Sequence, residues 1–183
     1  MRNLLEKYTC GNSRLLHILT EHSEAVRDLA LEIACNRNLD VDREFIAEAA
    51  MLHDIGIVKC DAPSISCFGT LPYICHGTEG ARILRLEGLP RHALVAERHT
   101  GAGISASEIV ARNLPIPPGD YLPISLEEKL ICYADKFYSK SRDLREHKPL
   151  EKIRAQMAEH GVGTAARFAE LELLFGDPFT KKH

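Results

Sequence analysis

The sequence predicts an all-α fold, one helical-bundle domain spanning residues 1–183 with its working site in the core. Three observations carry that expectation. Apolar residues recur at intervals of three and four along most of the chain, and Val, Ile and Thr nowhere alternate over the length of a strand. The 183 residues suffice to bury a real core without disulfide staples. Hydrophobic residues at 45% and charged residues at 27% exclude a disordered chain, and a net charge of -3 lacks the basic footprint of a binder of long nucleic acid. The apolar runs are too short to span a membrane, and Met1-Arg2-Asn3-Leu4-Leu5-Glu6-Lys7 puts charges where a signal peptide needs apolar residues, so the expected location is cytoplasmic. There the six cysteines read as reduced thiols, with no Cys-x-x-Cys pair for a thiolate zinc knuckle and Cys75 as a small buried residue.

Taken in order, a short amphipathic piece from Leu4 to Tyr8 precedes Asn12 or Ser13, which caps a long helix to about Asn36. Leu15, Ile18, Leu19, Val26, Leu29 and Ile33 form its buried stripe. His22 falls on that stripe, so each of its nitrogens needs a partner, either a core hydrogen bond or a metal. His17, about 500° of rotation away at ~100° per residue, faces the surface. Asp42 caps a second helix whose Phe45, Ile46, Ala49, Ala50 and His53 share one face and which is expected to end at Gly56. His53-Asp54 therefore emerges at the C-terminal end of a core helix, where the dipole disfavours a bare carboxylate and Asp54 calls for a cation. Lys59 is the expected cation, or else a holder of an anionic substrate.

From Cys60 to Ile74 the periodicity is lost, which suggests a functional loop and a candidate lid, ending at His76-Gly77-Thr78. Thr78 is expected to cap a helix to Leu86, and Pro90 to start one that runs to His99 before Gly101 and Gly103. His76 and His99 thus sit at helix boundaries. Ser105 caps a short helix to Asn113, and Leu114-Pro115-Ile116-Pro117-Pro118-Gly119 is a rigid connector. Ser125-Leu126-Glu127-Glu128 reads as a capping box for a helix with Leu130, Ile131, Ala134, Phe137 and Tyr138. Asp135 lies within that apolar set, a costly position unless Lys136 or Lys140 bends back to it or a metal binds. Helices near Leu150 to Glu159 and Thr164 to Phe175 make a closing unit over residues 149–176, outside a core of about 12–145. His92, His147, His160 and His183 are assigned to the surface, and so is Arg98, turned about 100° from its neighbour His99.

His22, His53, Asp54, His76, His99 and Asp135 are then metal-competent groups at inward or boundary positions. Two ions bridged by Asp54 account for them, with His22, His53 and Asp135 on one and His76 and His99 on the other. Imidazole and carboxylate donors without thiolate favour iron, manganese, cobalt or nickel, with zinc and magnesium left open.

The order of a His, then His53-Asp54-Ile55-Gly56, two later histidines and a final helical aspartate resembles the HD superfamily of metal-dependent phosphohydrolases, in its HDIG branch. The resemblance spans His22 to about Arg142. The extra His76 and His99 resemble members with a dinuclear centre, among them symmetrical diadenosine tetraphosphate hydrolases, which also carry a lysine soon after His-Asp, a His-Gly and a His-Thr, here Lys59, His76-Gly77 and His99-Thr100. The stretches Cys60 to Ile74 and Pro115 to Pro123 depart from those enzymes, and the Gly-Tyr-Pro signature of cyclic-di-GMP phosphodiesterases is missing. The resemblance implies hydrolysis of a phosphate ester or anhydride by metal-activated water. In it Asp54 and Lys59 are the catalytic candidates, and Lys59, Arg98 and Thr100 contact the substrate. Expected partners are a small phosphorylated, nucleotide-like substrate and, as an open alternative, a second copy of the chain in a homodimer, with neither membrane nor long nucleic acid. Competing readings are a di-iron oxygenase of the same superfamily, for which the same ligands serve, and a non-catalytic nucleotide-binding module, against which the intact ligand set argues.

Overall fold

Local chemistry starts most helices where the sequence places them, in a computed structural model that describes residues 1–140 and 143–180. Arg142, the end of the family resemblance, and His183 lie outside the described residues. Helix α1 (Arg2–Thr9) leads into α2 (Ser13–Asn36), where the Asn12 side chain accepts the Leu15 amide at 3.0 Å. Asp42 accepts the Phe45 amide at 2.9 Å and opens α3 (Arg43–Leu52). Then come β1 (Asp61–Ala62), β2 (Cys67–Phe68), α4 (His76–Leu86), α5 (Pro90–Arg98), α6 (Ala106–Ala111), α7 (Leu126–Asp135), α8 (Leu150–Glu159) and α9 (Val162–Phe175). The two strands are antiparallel, Asp61 opposite Phe68, so the segment read as a loop is a miniature hairpin flanked by 3-10 turns.

Several expectations need correction. Helix α3 stops at Leu52, and Gly56 is no helix cap: it lies in a 3-10 turn (Ile55–Lys59) with a backbone that any residue can adopt. Its role is contact, because a Cβ there would collide with the His76 carbonyl oxygen and the Gly80 amide of α4. Thr78 caps nothing. Helix α4 begins at His76, and the Thr78 hydroxyl donates to the Cys75 carbonyl at 3.1 Å. Ser125 does accept the Glu128 amide at 3.1 Å, but the Glu128 carboxylate turns to the Ile124 amide at 2.8 Å, which leaves the reciprocal half of that box unmade. His92 is buried rather than exposed, edge-on to Phe45 at 5.0 Å and 3.3 Å from the Glu48 carboxylate, because α5 packs on α3.

Two apolar clusters flank the site. Val26, Ile46, Ala50, Ile131 and Phe137 join α2, α3 and α7, and Phe168, Leu171 and Phe175 bring α9 into the same core. Each of these large side chains contributes about 1.5–3 kcal/mol on burial, an upper estimate, so α9 is bound to the bundle rather than laid loosely over it. Leu52, Ile55, Ala81, Leu84 and Ala96 join the turn after α3 to α4 and α5. Among the described residues no helix is long and apolar enough to cross a membrane.

Candidate metal centre

Five segments deliver their polar side chains to one buried point: His22 from mid α2, His53 and Asp54 from the end of α3, His76 from the start of α4, His99 from the end of α5 and Asp135 from the end of α7. Three of the rings are oriented alike. Nδ1 of His53 lies 2.6 Å from the Ala50 carbonyl, that of His76 2.7 Å from Tyr73, and that of His99 2.8 Å from Ala96. A carbonyl can only accept, so each Nδ1 carries a proton and turns Nε2 inward. Histidine ligands of metals are oriented by second hydrogen bonds of this kind.

Asp54 divides these groups. Its Oδ2 lies 3.0 Å from His53 Nε2 and 3.2 Å from His22 Nε2, and Asp135 Oδ1 lies 3.0 Å from the same His22 nitrogen. Its Oδ1 faces His99 Nε2 at 3.4 Å and His76 Nε2 at 3.6 Å. Despite these short distances both Asp54 oxygens and His53 Nε2 lack an aligned hydrogen-bond partner among the described residues. The donors crowd one shared space, where His22 Nε2 also hydrogen-bonds to Asp135 Oδ1 at 3.0 Å.

His76 Nε2 and His99 Nε2 are 3.1 Å apart. Burial first, and then each other's proximity, pushes His76 down to about 3, and burial also lowers His99, so the two rings present lone pair to lone pair. That contact is favourable only with a cation to share. On the other face burial disfavours a charged His53, but the Asp54 and Asp135 carboxylates outweigh it and raise the ring to about 9. Burial likewise opposes the charge on both aspartates, yet the His53 and Lys140 charges hold Asp54 well below the carboxylate range, and Lys136 and Lys140 do the same for Asp135. The groups fit divalent cations: His22, His53, Asp54 and Asp135 offer ligand atoms all within 4.8 Å of one another, as do Asp54, His76 and His99. Neighbouring ligands on bonds of ~2.1 Å stand roughly 3 Å apart, close to the separations seen.

The structure does not bring every expected residue here. Lys59 ends its 3-10 turn exposed, and among the described residues it makes no ion pair and lines no part of the cavity beside the centre. Lys140 stands in its place, its Nζ 2.7 Å from Asp54 Oδ2, while Lys136 Nζ donates to Asp135 Oδ2 at 2.6 Å and to the His99 carbonyl at 3.0 Å. Arg98 is held by Glu128 at 2.9 Å and also does not line the cavity, because one helical step turns it away from His99. Thr100 does line it, with Oγ1 3.5 Å from His76 Nε2. The cavity holds about 540 Å³, opens beside His76, His99 and Asp135, and is walled by Tyr73, Lys140 and Lys148. Tyr73 and Lys148 gave no signal in the sequence, since a lone aromatic or lysine in irregular chain has many readings.

The model of the HD domain family matches residues 19–139, which hold all six of the converging side chains. The chain belongs to the HD domain family. An uncharacterized protein of Methanocaldococcus jannaschii is 41% identical over 121 residues, 64% of this chain and 64% of its own. A tRNA (cytidine(56)-2'-O)-methyltransferase of Thermoplasma volcanium is 31% identical over 90% of this chain and 43% of its own, and one of Picrophilus torridus 35% identical over 68% and 33%. This chain therefore spans less than two thirds of the length of each of these relatives. No solved structure matches it significantly.

Proposed function

We propose that this HD-family chain is a metal-dependent phosphohydrolase acting on small phosphorylated molecules, nucleotides foremost, with Asp54 shared between two divalent ions. The observation that carries this reading is the division of Asp54: Oδ2 faces His22 and His53, Oδ1 faces His76 and His99, and Asp135 completes the first set.

A bound pair of divalent ions supplies Lewis acidity toward phosphoryl oxygens and makes water a nucleophile near neutral pH. The chain's own groups do the rest. The carbonyls of Ala50, Tyr73 and Ala96 fix three imidazoles in the tautomer that leaves Nε2 free to ligate. Lys140 and Lys136 place ammonium groups at the cavity wall, where phosphate charge needs neutralising. The Thr100 hydroxyl can donate to a phosphoryl oxygen beside His76. The tRNA chemistry in the names of two relatives is not carried over, because this chain spans only 43% and 33% of their length and a net charge of -3 offers no polyanion footprint.

The test is elemental analysis followed by phosphate release from mononucleotides, cyclic nucleotides and dinucleoside polyphosphates, with tRNA in the same panel. The expected result is two ions per chain, with turnover lost on chelation and restored by metal. Asp54→Asn should lose both ions and on the order of 10³-fold or more in rate. An Asp54→Asn protein that retains metal and turnover overturns the assignment. So does a reduced-iron protein that consumes oxygen and releases no phosphate.

A further inference from the structure

The family match ends at residue 139, yet one wall of the cavity comes from later residues, Lys148 and the α8 residues Gln156 and Met157, with His160 just after them. Lys148 is held from both sides. Three residues before it, Arg145 spans Glu21 and Glu24 of α2 at 2.7 Å each, and the His147 ring stacks on Phe179 with centroids 3.6 Å apart. The Lys148 amide itself donates to the Phe137 carbonyl at 2.7 Å, and Pro149 then starts α8. Its half-buried side chain lines both the cavity at the centre and the adjoining one beneath the hairpin.

The other two lysines of that wall sit on carboxylates of the centre itself, Lys136 with Asp135 at 2.6 Å and Lys140 with Asp54 at 2.7 Å, so the charge they bring belongs to the reacting site. Lys148 does not: among the described residues no carboxylate comes within 4 Å of its ammonium, although Asp61 lines the adjoining cavity. Burial, the largest influence, pushes it down to about 8. An ammonium withdrawn from water without a counter-ion is costly, and an anionic ligand removes that cost.

We propose that Lys148 anchors an outer anion subsite for a phosphoryl group other than the one that reacts at the Asp54 centre. The substrate class is then a small molecule bearing at least two phosphoryl groups. This inference rests on the Asp54 centre being the reacting site. Gln156 and His160 add hydrogen-bonding groups to the same wall, and Glu159 places one exposed carboxylate on it.

Calorimetric titration of the metal-loaded protein with pyrophosphate and with orthophosphate tests it. Wild type should bind pyrophosphate at least about tenfold more tightly than orthophosphate. Lys148→Ala and the volume-matched Lys148→Met should each weaken pyrophosphate binding roughly tenfold to a hundredfold, the range for a charge-assisted hydrogen bond, and Lys148→Arg should recover most of it. A wild type without that preference overturns the subsite, and so does a folded Lys148→Met that binds pyrophosphate within twofold of wild type. Metal content and phosphate release are scored on wild type alone. A wild type without metal or turnover refutes the centre, whereas a competent wild type with an indifferent Lys148→Met refutes the subsite only.

Discussion

The two sides of Asp54 hold the same kinds of ligand in opposite electrostatic states. On the Oδ2 side a second carboxylate, Asp135, draws in His22, His53, Lys136 and Lys140, and His53 is raised to about 9. On the Oδ1 side His76 and His99 face the aspartate, no other acidic group joins their cluster among the described residues, and burial pushes His76 down to about 3. A buried imidazole takes the charge that its nearest neighbours permit. The first side therefore presents more anionic charge to a metal but must give up protons and a lysine contact to receive it. The second presents neutral lone pairs and a single carboxylate oxygen. Because ligation requires deprotonated donors, the two sides should differ in affinity and in pH dependence.

The largest effect expected from this asymmetry is on metal content. His76→Gln should leave one ion per chain and lower phosphate release by about 10²- to 10³-fold, the loss of roughly 3–4 kcal/mol of transition-state stabilisation. Asp135→Asn should lose the ion of the Oδ2 side and weaken the other, since His22 and Lys140 then compete for Asp54 alone. Elemental analysis of both variants checks the difference. Equal losses would mean that Asp54 does not divide the centre into two.

A smaller effect is a two-sided pH profile in protein stripped of divalent ions. His53 is raised from 6.5 to about 9, so its contribution to stability is complete below 6.5 and is lost as pH climbs through about 9. His76 is depressed from 6.5 to about 3, so the unfolded chain takes the proton first, and stability present above 6.5 is lost as pH falls toward 3. Each group contributes up to about 1.4 kcal/mol per pH unit within its window. The urea midpoint should therefore peak near pH 6.5 and fall at both pH 5 and pH 8. A flat profile would show that the two rings are not held in opposite charge states.

What was legible in the sequence follows from the range over which each signal acts. Helix caps at Asn12, Asp42 and Ser105 act over three residues, and the structure repeats them. The converging histidines and aspartates were legible because an ionisable group on an apolar stripe or at a helix end is anomalous wherever its partners lie. Gly56 misleads because glycine has two uses: the sequence reads it as the end of a helix, and close approach of the α4 backbone is what the position demands. His92 reads as an outward polar residue, but its burial against Phe45 depends on how α5 lies on α3, which no local pattern encodes. Lys148 and Tyr73 reach the cavity through irregular chain, where periodicity carries no information.

The smallest effect concerns the lysines. Lys59 follows Asp54 by five residues, and that nearness in sequence made it the expected cation; the 3-10 turn of Ile55–Lys59 instead carries it outward to solvent. Lys140, 86 positions after Asp54, supplies the ammonium at 2.7 Å. Lys59→Ala should thus change stability by less than about 0.5 kcal/mol, the usual span for an exposed side chain without partners, and phosphate release by less than about twofold. Lys140→Met removes a largely buried cation from two carboxylates and should lower phosphate release by at least about tenfold. Steady-state rates on one substrate rank the pair, and the reverse ranking would mean that the substrate's charge is met from the exposed turn rather than from the end of α7.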